Sequence, residues 1–308
     1  MWDTKEIANL QFLYIYKVPT SIPVIDLHTL FSTDSESSTC SSELNKLHSA
    51  SKEWGFFQVI NHGISESLLE DFKSEVLKLF KLPMEEKEKL WQKEDCQEGF
   101  GQLFVASEDQ KLDWCDKFYV NTLPYNIRNS KLFQKLPPIL SEKVDTYSRE
   151  IKKLAVGILG EMGKALGMSK EEMRELFDDG AQFLQMNYYP QCPEPELAMG
   201  FSPHSDATGL TILYQLTKTT GLQVRKNGKW VSVKPLPNAL VVNIGDIMER
   251  LSVATFYSSN MGVEVGPARS LVAQHNVANF RRVTFEEYYK DFFARKLDGK
   301  SNLEFMKL

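Results

Sequence analysis

The chain has 308 residues, enough for one or two domains with a core of ordinary size. Its 36 Lys and Arg against 41 Asp and Glu give a formal net charge of −5, without the basic surface typical of nucleic-acid binding. Apolar residues at 42% and aromatic residues at 11% exclude a disordered or collagen-like chain. No apolar stretch approaches the roughly 20 residues that cross a bilayer. We therefore expect a soluble globular protein that binds neither nucleic acid nor membrane.

The cysteines and the first residues indicate the cellular compartment in which we expect the protein. Cys40, Cys96, Cys115 and Cys192 form no C-x-x-C pair, which indicates free thiols in a reducing compartment rather than a disulfide framework or a zinc site. The first residues are polar and lack the apolar segment of a secretory signal. We expect a cytoplasmic protein.

Short strands and amphipathic helices are predicted in the first half of the chain. Residues 24–27 and 56–60 are predicted as strands, and the second is followed by the turn Asn61-His62-Gly63. Ser67 and Glu70 form a capping-box pair ahead of apolar residues with helical spacing, which continue until Pro83.

A second long helix is predicted over 141–166, where Gly167 stands at the position of a C-terminal cap. Beyond about residue 177 the apolar period changes from 3.6 to 2, and Asn227-Gly228 predicts a tight hairpin. Helical spacing returns over 284–308. The predicted strands of this half are 182–189, 210–215, 222–225, 230–233, 240–244 and 251–256.

This order of elements predicts a mixed α/β protein, with a helical front half that leads into a β-sandwich or barrel.

His204 and Asp206 are the first candidates for chemistry. They lie two residues apart between predicted strands, so in an extended segment their side chains project from the same face. An imidazole and a carboxylate are two of the three ligands in the 2-His-1-carboxylate centre of non-haem Fe(II) oxygenases. Alone, His-x-Asp is also typical of a surface turn or a hydrogen-bonded pair.

Arg250 and Ser252 are the second candidates. They also lie two residues apart on a predicted strand, and a guanidinium beside a hydroxyl is suited to holding a carboxylate. Tyr189 offers a further hydroxyl. The alternatives are an exposed arginine near a serine and a half-buried strand tyrosine.

The order of several motifs is more specific than any one of them. In chain order they are IPVIDL from Ile22, WGFFQVINHG from Trp54, MNYYPQCP from Met186, HSD from His204, GLQV from Gly221, NIGD from Asn243 and RLS from Arg250. This series resembles the plant 2-oxoglutarate- and Fe(II)-dependent dioxygenases, and is most similar to the senescence-related branch that includes alkaloid O-demethylases. The resemblance extends over nearly the whole chain from about Ile22.

The resemblance implies a double-stranded β-helix of the jelly-roll, cupin-like type, packed against a helical N-terminal region. It implies Fe(II) held by His204 and Asp206, 2-oxoglutarate as co-substrate and ascorbate as a further cofactor, with no catalytic residue beyond the metal centre. Four residues would line the 2-oxoglutarate pocket: Arg250, Ser252, Tyr189 and Asn187. The implied divisions are an N-terminal dioxygenase region at 20–125, a helical connector at 126–178, the β-helix domain at 179–272 and a helical tail at 273–308.

Enzymes of this family decarboxylate 2-oxoglutarate to succinate and oxidise a C–H bond of a small organic substrate, by hydroxylation, demethylation or desaturation. Apolar residues near the expected pocket mouth would suit a planar specialised metabolite such as an alkaloid or flavonoid, and they are equally typical of a core. These residues are Phe100, Leu103, Phe104 and Phe201.

The chain departs from the family pattern at one place. The family has a second ligand histidine between the Gly-Asp and Arg-x-Ser motifs, but here Asp246 and Arg250 are separated by Ile247, Met248 and Glu249 only. The histidine is missing together with its strand. We therefore expect weaker Fe(II) binding and an opened sheet edge. Asp246 and Glu249 are candidates for a replacement oxygen ligand, whereas His275 lies beyond the predicted strands.

Three hypotheses follow. The chain is a dioxygenase that retains activity, a non-catalytic product of splicing or of a mis-joined gene model, or a small-molecule-binding β-sheet module without a metal.

Overall fold

The structure of the protein is a computed structural model. It describes residues 21–32, 38–93, 96–102, 110–169, 172, 177, 180–246, 257–258, 262–267, 280–293 and 306–308. Among these residues, no helix combines the length and apolar character needed to cross a membrane.

Helices dominate the described part of the first half. In chain order its elements are β1 (Val24–Asp26), α1 (Leu27–Leu30), α2 (Ser38–Glu53), β2 (Phe56–Ile60), α3 (Glu66–Phe80), α4 (Met84–Glu88), β3 (Gly99–Phe100), β4 (Asp116–Leu123), a 3-10 turn (Tyr125–Ile127), α5 (Ser130–Phe133) and α6 (Pro138–Ala165).

Strands dominate the second half until a final helix. These elements are β5 (Ala181–Tyr188), β6 (Leu210–Leu213), β7 (Gln223–Lys226), β8 (Lys229–Ser232), β9 (Leu240–Ile244), β10 (Tyr257–Ser258), β11 (Glu264–Val265), β12 (Val283–Thr284) and α7 (Phe285–Phe293).

The described strands form two four-stranded sheets and two hairpin-like pairs. The first sheet has the order β1-β2-β9-β6 and the second has the order β10-β5-β4-β3. β7 and β8 pair around Asn227 and Gly228, whose positive φ angles of 50° and 77° fit the tight turn that this dipeptide predicts.

Each sheet directs one face toward the helices. Phe118 and Val120 of β4 and Leu240 and Val242 of β9 belong to the main core, together with α3 and α6. The alternate positions point the other way because successive side chains of a strand project from opposite faces. These other faces carry polar side chains, among them Lys117, Asn187, Thr211 and Asn243. The candidate site lies on these polar faces.

Most predicted elements are confirmed with small shifts at their ends. β9 has the predicted bounds. The helix predicted over 141–166 is α6, which spans Pro138–Ala165. Gly167 has a φ of 73°, and the amide of Met168 donates to Gly163 O at 2.9 Å, so this glycine caps α6 as predicted. Phe100 packs against Phe80 and Phe118 and is a core residue.

Two predictions near the N-terminal helices were incomplete or wrong. The cap of α3 is Ser65, whose Oγ accepts a hydrogen bond from the Leu68 amide at 3.1 Å, and Ser67 lies inside the first turn. β4 was not predicted, because Asp116, Lys117 and Asn121 interrupt its apolar pattern. The strand predicted at 251–256 lies outside the described residues, as do Leu103 and Phe104.

Gly245 fixes the distance between two segments that form the site. A Cβ at this position would meet Thr208 O at 2.0 Å and Asp206 O at 2.8 Å. The Gly245 amide donates to Gly209 O at 2.9 Å, and the Asp246 amide donates to Asp206 O at 2.7 Å. These bonds continue the β6–β9 pairing up to the backbone of Asp206.

We predict that Gly245→Ala destabilises the protein by about 1–3 kcal/mol, because the added methyl group must push the Asp206–Thr208 backbone away. Urea unfolding measures the change. Gly160→Ala in α6 is the matched control. A Cβ there has nothing within 4 Å, so the control should gain about 0.5–1 kcal/mol from helix propensity. Equal effects of the two substitutions would contradict the prediction.

Candidate metal centre

His204 and Asp206 meet as their spacing predicts. His204 Nε2 lies 3.5 Å from Asp206 Oδ1. His204 Nδ1 lies 2.8 Å from the carbonyl oxygen of Ser202. A carbonyl can only accept, so this bond keeps the proton on Nδ1 in the neutral imidazole and leaves the Nε2 lone pair directed at the carboxylate.

The Asp206 carboxylate is oriented by two strands. Its Oδ2 accepts hydrogen bonds from Thr211 Oγ1 at 2.5 Å and from Asn243 Nδ2 at 2.7 Å. Thr211 of β6 and Asn243 of β9 are direct partners in the antiparallel register, so their side chains lie side by side on one face. Because Oδ2 is occupied, Oδ1 is the oxygen that faces His204.

The two groups shift one another's pKa. Burial alone would lower the pKa of His204, but the hydrogen bond and charge of Asp206 and the bond to Ser202 outweigh it, so the pKa is raised. Burial alone would raise the pKa of Asp206, but His204, Thr211 and Asn243 outweigh it, so the pKa is lowered. The carboxylate is therefore held ionised, as a metal ligand must be.

The pair fits two adjacent positions around a divalent ion. Such an ion lies about 2.1 Å from an imidazole nitrogen or a carboxylate oxygen, so two adjacent ligands are about 3 Å apart. The 3.5 Å found between His204 Nε2 and Asp206 Oδ1 is close to that separation. Ser202, which accepts from His204, and Thr211 and Asn243, which donate to Asp206, provide the outer support that metal ligands typically have.

A third protein ligand is absent from the described residues. In that part of the chain no three His, Cys, Asp or Glu side chains are placed to hold one ion. Asp246, a predicted replacement, is buried, and its Oδ2 accepts from Ser205 Oγ at 2.9 Å. Glu249 and His275 lie outside the described residues. His204 and Asp206 therefore fit a metal centre, but the described residues do not complete it.

The residues predicted to bind 2-oxoglutarate are only partly described. Asn187 lies on β5, where its Oδ1 accepts from Gln185 Nε2 at 3.0 Å. Tyr189 follows β5, and burial together with the neighbouring Cys115 thiol raises the pKa of the tyrosine. Arg250 and Ser252 lie outside the described residues, so the predicted carboxylate clamp remains a prediction.

Sequence reasoning missed the residues that support the pair. Thr211 and Asn243 are single polar residues within the apolar strand sequences LTIL and LVVNI. A buried polar side chain in such a strand needs a hydrogen-bond partner, and that need was the available signal. Lys117, Asp113 and Ser202 form a second polar group beside His204, and no local pattern pointed to it.

The raised pKa of His204 predicts a pH-dependent contribution to stability in the metal-free protein. A histidine whose pKa is higher in the folded than in the unfolded protein stabilises the fold. This contribution is complete at pH values below the unfolded-state pKa of 6.5, and it is lost as the pH rises through the folded-state pKa. The free energy of unfolding lost in His204→Asn should therefore be greatest below pH 6.5 and should shrink as the pH is raised through the folded-state pKa. His28→Asn, at an exposed histidine, is the control. A loss that is constant over this range would contradict the prediction.

Comparison with known proteins identifies the family. Residues 22–138 match the family described as non-haem dioxygenase in morphine synthesis N-terminal, and residues 180–277 match the 2OG-Fe(II) oxygenase superfamily. Protein SRG1 of Arabidopsis thaliana is 46% identical over 316 positions, covering 95% of this chain and 87% of the relative. Oxoglutarate-dependent flavonoid 7-O-demethylase 1 of Ocimum basilicum is 46% identical over 310 positions, covering 94% and 82%.

The SRG1 alignment is also longer than this chain. Its 316 positions exceed the 308 residues of the chain, and 95% of the chain is about 293 residues. About 23 positions of the alignment therefore have no counterpart in this chain.

The crystal structure of JOX2 in complex with 2OG, Fe and JA matches with a TM-score of 0.83 and 32% identity, over 94% of this chain and 89% of that one. The predicted mixed α/β fold of the double-stranded β-helix type is confirmed at this level. Fe(II) and 2-oxoglutarate are the cofactors of the superfamily. The chain belongs to the 2-oxoglutarate- and Fe(II)-dependent oxygenase superfamily, whose members are oxidoreductases.

Proposed function

We propose that this chain is a dioxygenase of small specialised metabolites whose iron centre has two of its three protein ligands, His204 and Asp206. The substrate class is a planar organic molecule that the intact family site would hydroxylate or O-demethylate. The flavonoid O-demethylase among the relatives supports this class.

One observation carries the proposal. His204 Nε2 and Asp206 Oδ1 converge to 3.5 Å, and hydrogen bonds with three other residues hold both groups in that orientation. A His-x-Asp pair in a surface turn would not need hydrogen bonds from buried side chains such as Thr211 and Asn243. The arrangement is suited to a divalent ion, for which imidazole and carboxylate are suitable ligands.

We propose further that the missing ligand and its strand account for part of the alignment positions this chain lacks. The Gly-Asp motif ends at Asp246 and the Arg-x-Ser motif starts at Arg250, so the interval between them has three residues. A site with two protein ligands binds Fe(II) more weakly and fixes its geometry less well than a site with three. We therefore expect low oxygenase activity from the chain as it stands.

When bound, Fe(II) would activate O₂ as the oxidant, with two electrons from the oxidative decarboxylation of 2-oxoglutarate to succinate and two from the C–H bond of the substrate. His204 would contribute Nε2, which carries the lone pair of the neutral ring because Nδ1–H donates to the Ser202 carbonyl, and metal binding would displace the proton that Nε2 holds when the ring is protonated. Asp206 would contribute the ionised Oδ1. Asn187 and Tyr189, with Arg250 and Ser252, remain the proposed 2-oxoglutarate residues.

A second candidate function is binding of a small molecule without turnover. The observation that favours it is the lack of a third ligand near His204 and Asp206 among the described residues. On this alternative, Fe(II) is not needed for ligand binding and His204 is dispensable.

Anaerobic titration of the metal-free protein with Fe(II) and 2-oxoglutarate tests the proposal. The chelate of the two gives a visible charge-transfer band when it is bound in such a site. We expect a saturable band in the wild type and none in His204→Ala. His48→Ala, at a histidine on α2, is the control and should leave the band unchanged. A folded wild-type protein without any band, or an undiminished band in His204→Ala, would contradict the proposal.

The support of Asp206 gives a sharper prediction. Thr211→Val removes one hydrogen bond to Oδ2 with little change of shape, and loss of such outer support typically lowers metal affinity by about 10–100-fold. Thr208→Val is the matched control. The Thr208 hydroxyl is buried, and within the described structure it has no hydrogen-bond partner. The same titration measures both variants, and equal Fe(II) affinities would show that the Thr211 bond does not support the metal.

A further inference from the structure

Lys117 is a buried cation beside the proposed centre. It lies on β4, directly opposite Asn187 of β5, on the polar face of the second sheet. Only 3% of the residue is exposed. Its Nζ donates to Asp113 Oδ2 at 2.6 Å. Burial of an ammonium group costs free energy unless an opposite charge pairs with it and its N–H donors form hydrogen bonds. The position of Lys117 on this face therefore needs an explanation.

The surroundings of Lys117 connect it to His204. Its Nζ lies 4.1 Å from the centre of the Phe201 ring, and the centre of that ring is 4.3 Å from the centre of the His204 imidazole. Asp113 Oδ1 accepts from the Ser202 amide at 2.9 Å and from Ser202 Oγ at 2.8 Å. The cation is therefore held against the segment that carries His204.

Asp113 pairs with the charge of Lys117 but satisfies only part of its hydrogen-bonding capacity. An ammonium group has three N–H donors, and Lys117 makes one hydrogen bond within the described structure. The charge of Asp113 is shared between this bond and the two bonds from Ser202. The aromatic face of Phe201 adds cation–π attraction but accepts no conventional hydrogen bond. Donors on the ammonium group therefore remain for an anionic ligand.

We propose that Lys117 is a specificity-determining residue that selects an organic substrate with a carboxylate or phenolate group. This inference rests on the proposed function, because it places the substrate in the site that contains His204 and Asp206. It narrows the substrate class from planar metabolites in general to those with an acidic group. The co-substrate 2-oxoglutarate also carries carboxylates, so the test must separate the two sources.

The test uses metal-free protein and calorimetric titration with a matched pair of probes, 2-naphthoate and its methyl ester, and with 2-oxoglutarate as a third ligand. Lys117→Met alone leaves the Asp113 carboxylate without its cation and risks misfolding. The Lys117→Met/Asp113→Asn double variant removes both charges and is tested beside it. Lys117→Arg retains the charge and serves as the control.

We expect the wild type and Lys117→Arg to bind 2-naphthoate at least about tenfold more tightly than the ester, as one charge-assisted hydrogen bond predicts. The double variant should lose this preference and keep its affinity for 2-oxoglutarate. The proposal is overturned if the wild type does not prefer the acid, if neither probe binds, or if the double variant keeps the preference. It is also overturned if only 2-oxoglutarate affinity falls. These results do not depend on Fe(II), so they are separate from failure of the iron titration.

Discussion

The Asp206 carboxylate connects β6 and β9 of the first sheet to the segment that contains His204. Thr211 and Asn243 bind one of its oxygens, and His204 faces the other. Its backbone carbonyl accepts from the Asp246 amide at 2.7 Å, close to the position where Gly245 passes without a side chain. The orientation of this one group therefore depends on the β6–β9 register, and the candidate site depends on its orientation.

The unequal faces of the sheets explain why the site lies where it does. The apolar faces pack against α3 and α6, and this burial supplies most of the stability. The polar faces carry side chains that must find partners within the protein or in a ligand. Asp206 finds donors on β6 and β9, whereas the Lys117 ammonium group makes one hydrogen bond in the described structure. Lys117, for which we propose a ligand-binding role, therefore lies on a polar face, as the proposed centre does.

Local patterns in the sequence predicted much of the fold. β9, the Asn227-Gly228 hairpin and the Gly167 cap depend on neighbouring residues, and so does the approach of His204 to Asp206. The cap of α3 was misjudged because Ser67 has Glu70 three residues on, whereas Ser65, which is the cap in the structure, has Leu68 at that position and caps without a glutamate partner. β4 was missed because Asp116, Lys117 and Asn121 interrupt its apolar pattern, although Lys117 is buried in the structure.

The supporting groups could not be predicted because they join distant parts of the chain. Asp113 and Ser202 are 89 residues apart, and Asp206 and Asn243 are 37 residues apart. The position of Asn243 follows from the β6–β9 register, and Asp113 and Ser202 meet through segments outside the strands, so single residues specify neither contact. The absence of a third ligand remains a prediction from motif order, because Asp246 and Arg250 stand too close together in the sequence to include it.

The most direct test of this account measures succinate formed from 2-oxoglutarate and O₂ by two proteins. One is the chain as it stands, and the other has the interval between Asp246 and Arg250 restored from the aligned segment of Protein SRG1. The account predicts that restoration raises the rate at least about a hundredfold, because it completes the metal ligands and closes the sheet, and that His204→Ala then abolishes the rate. Equal rates from the two proteins would contradict it.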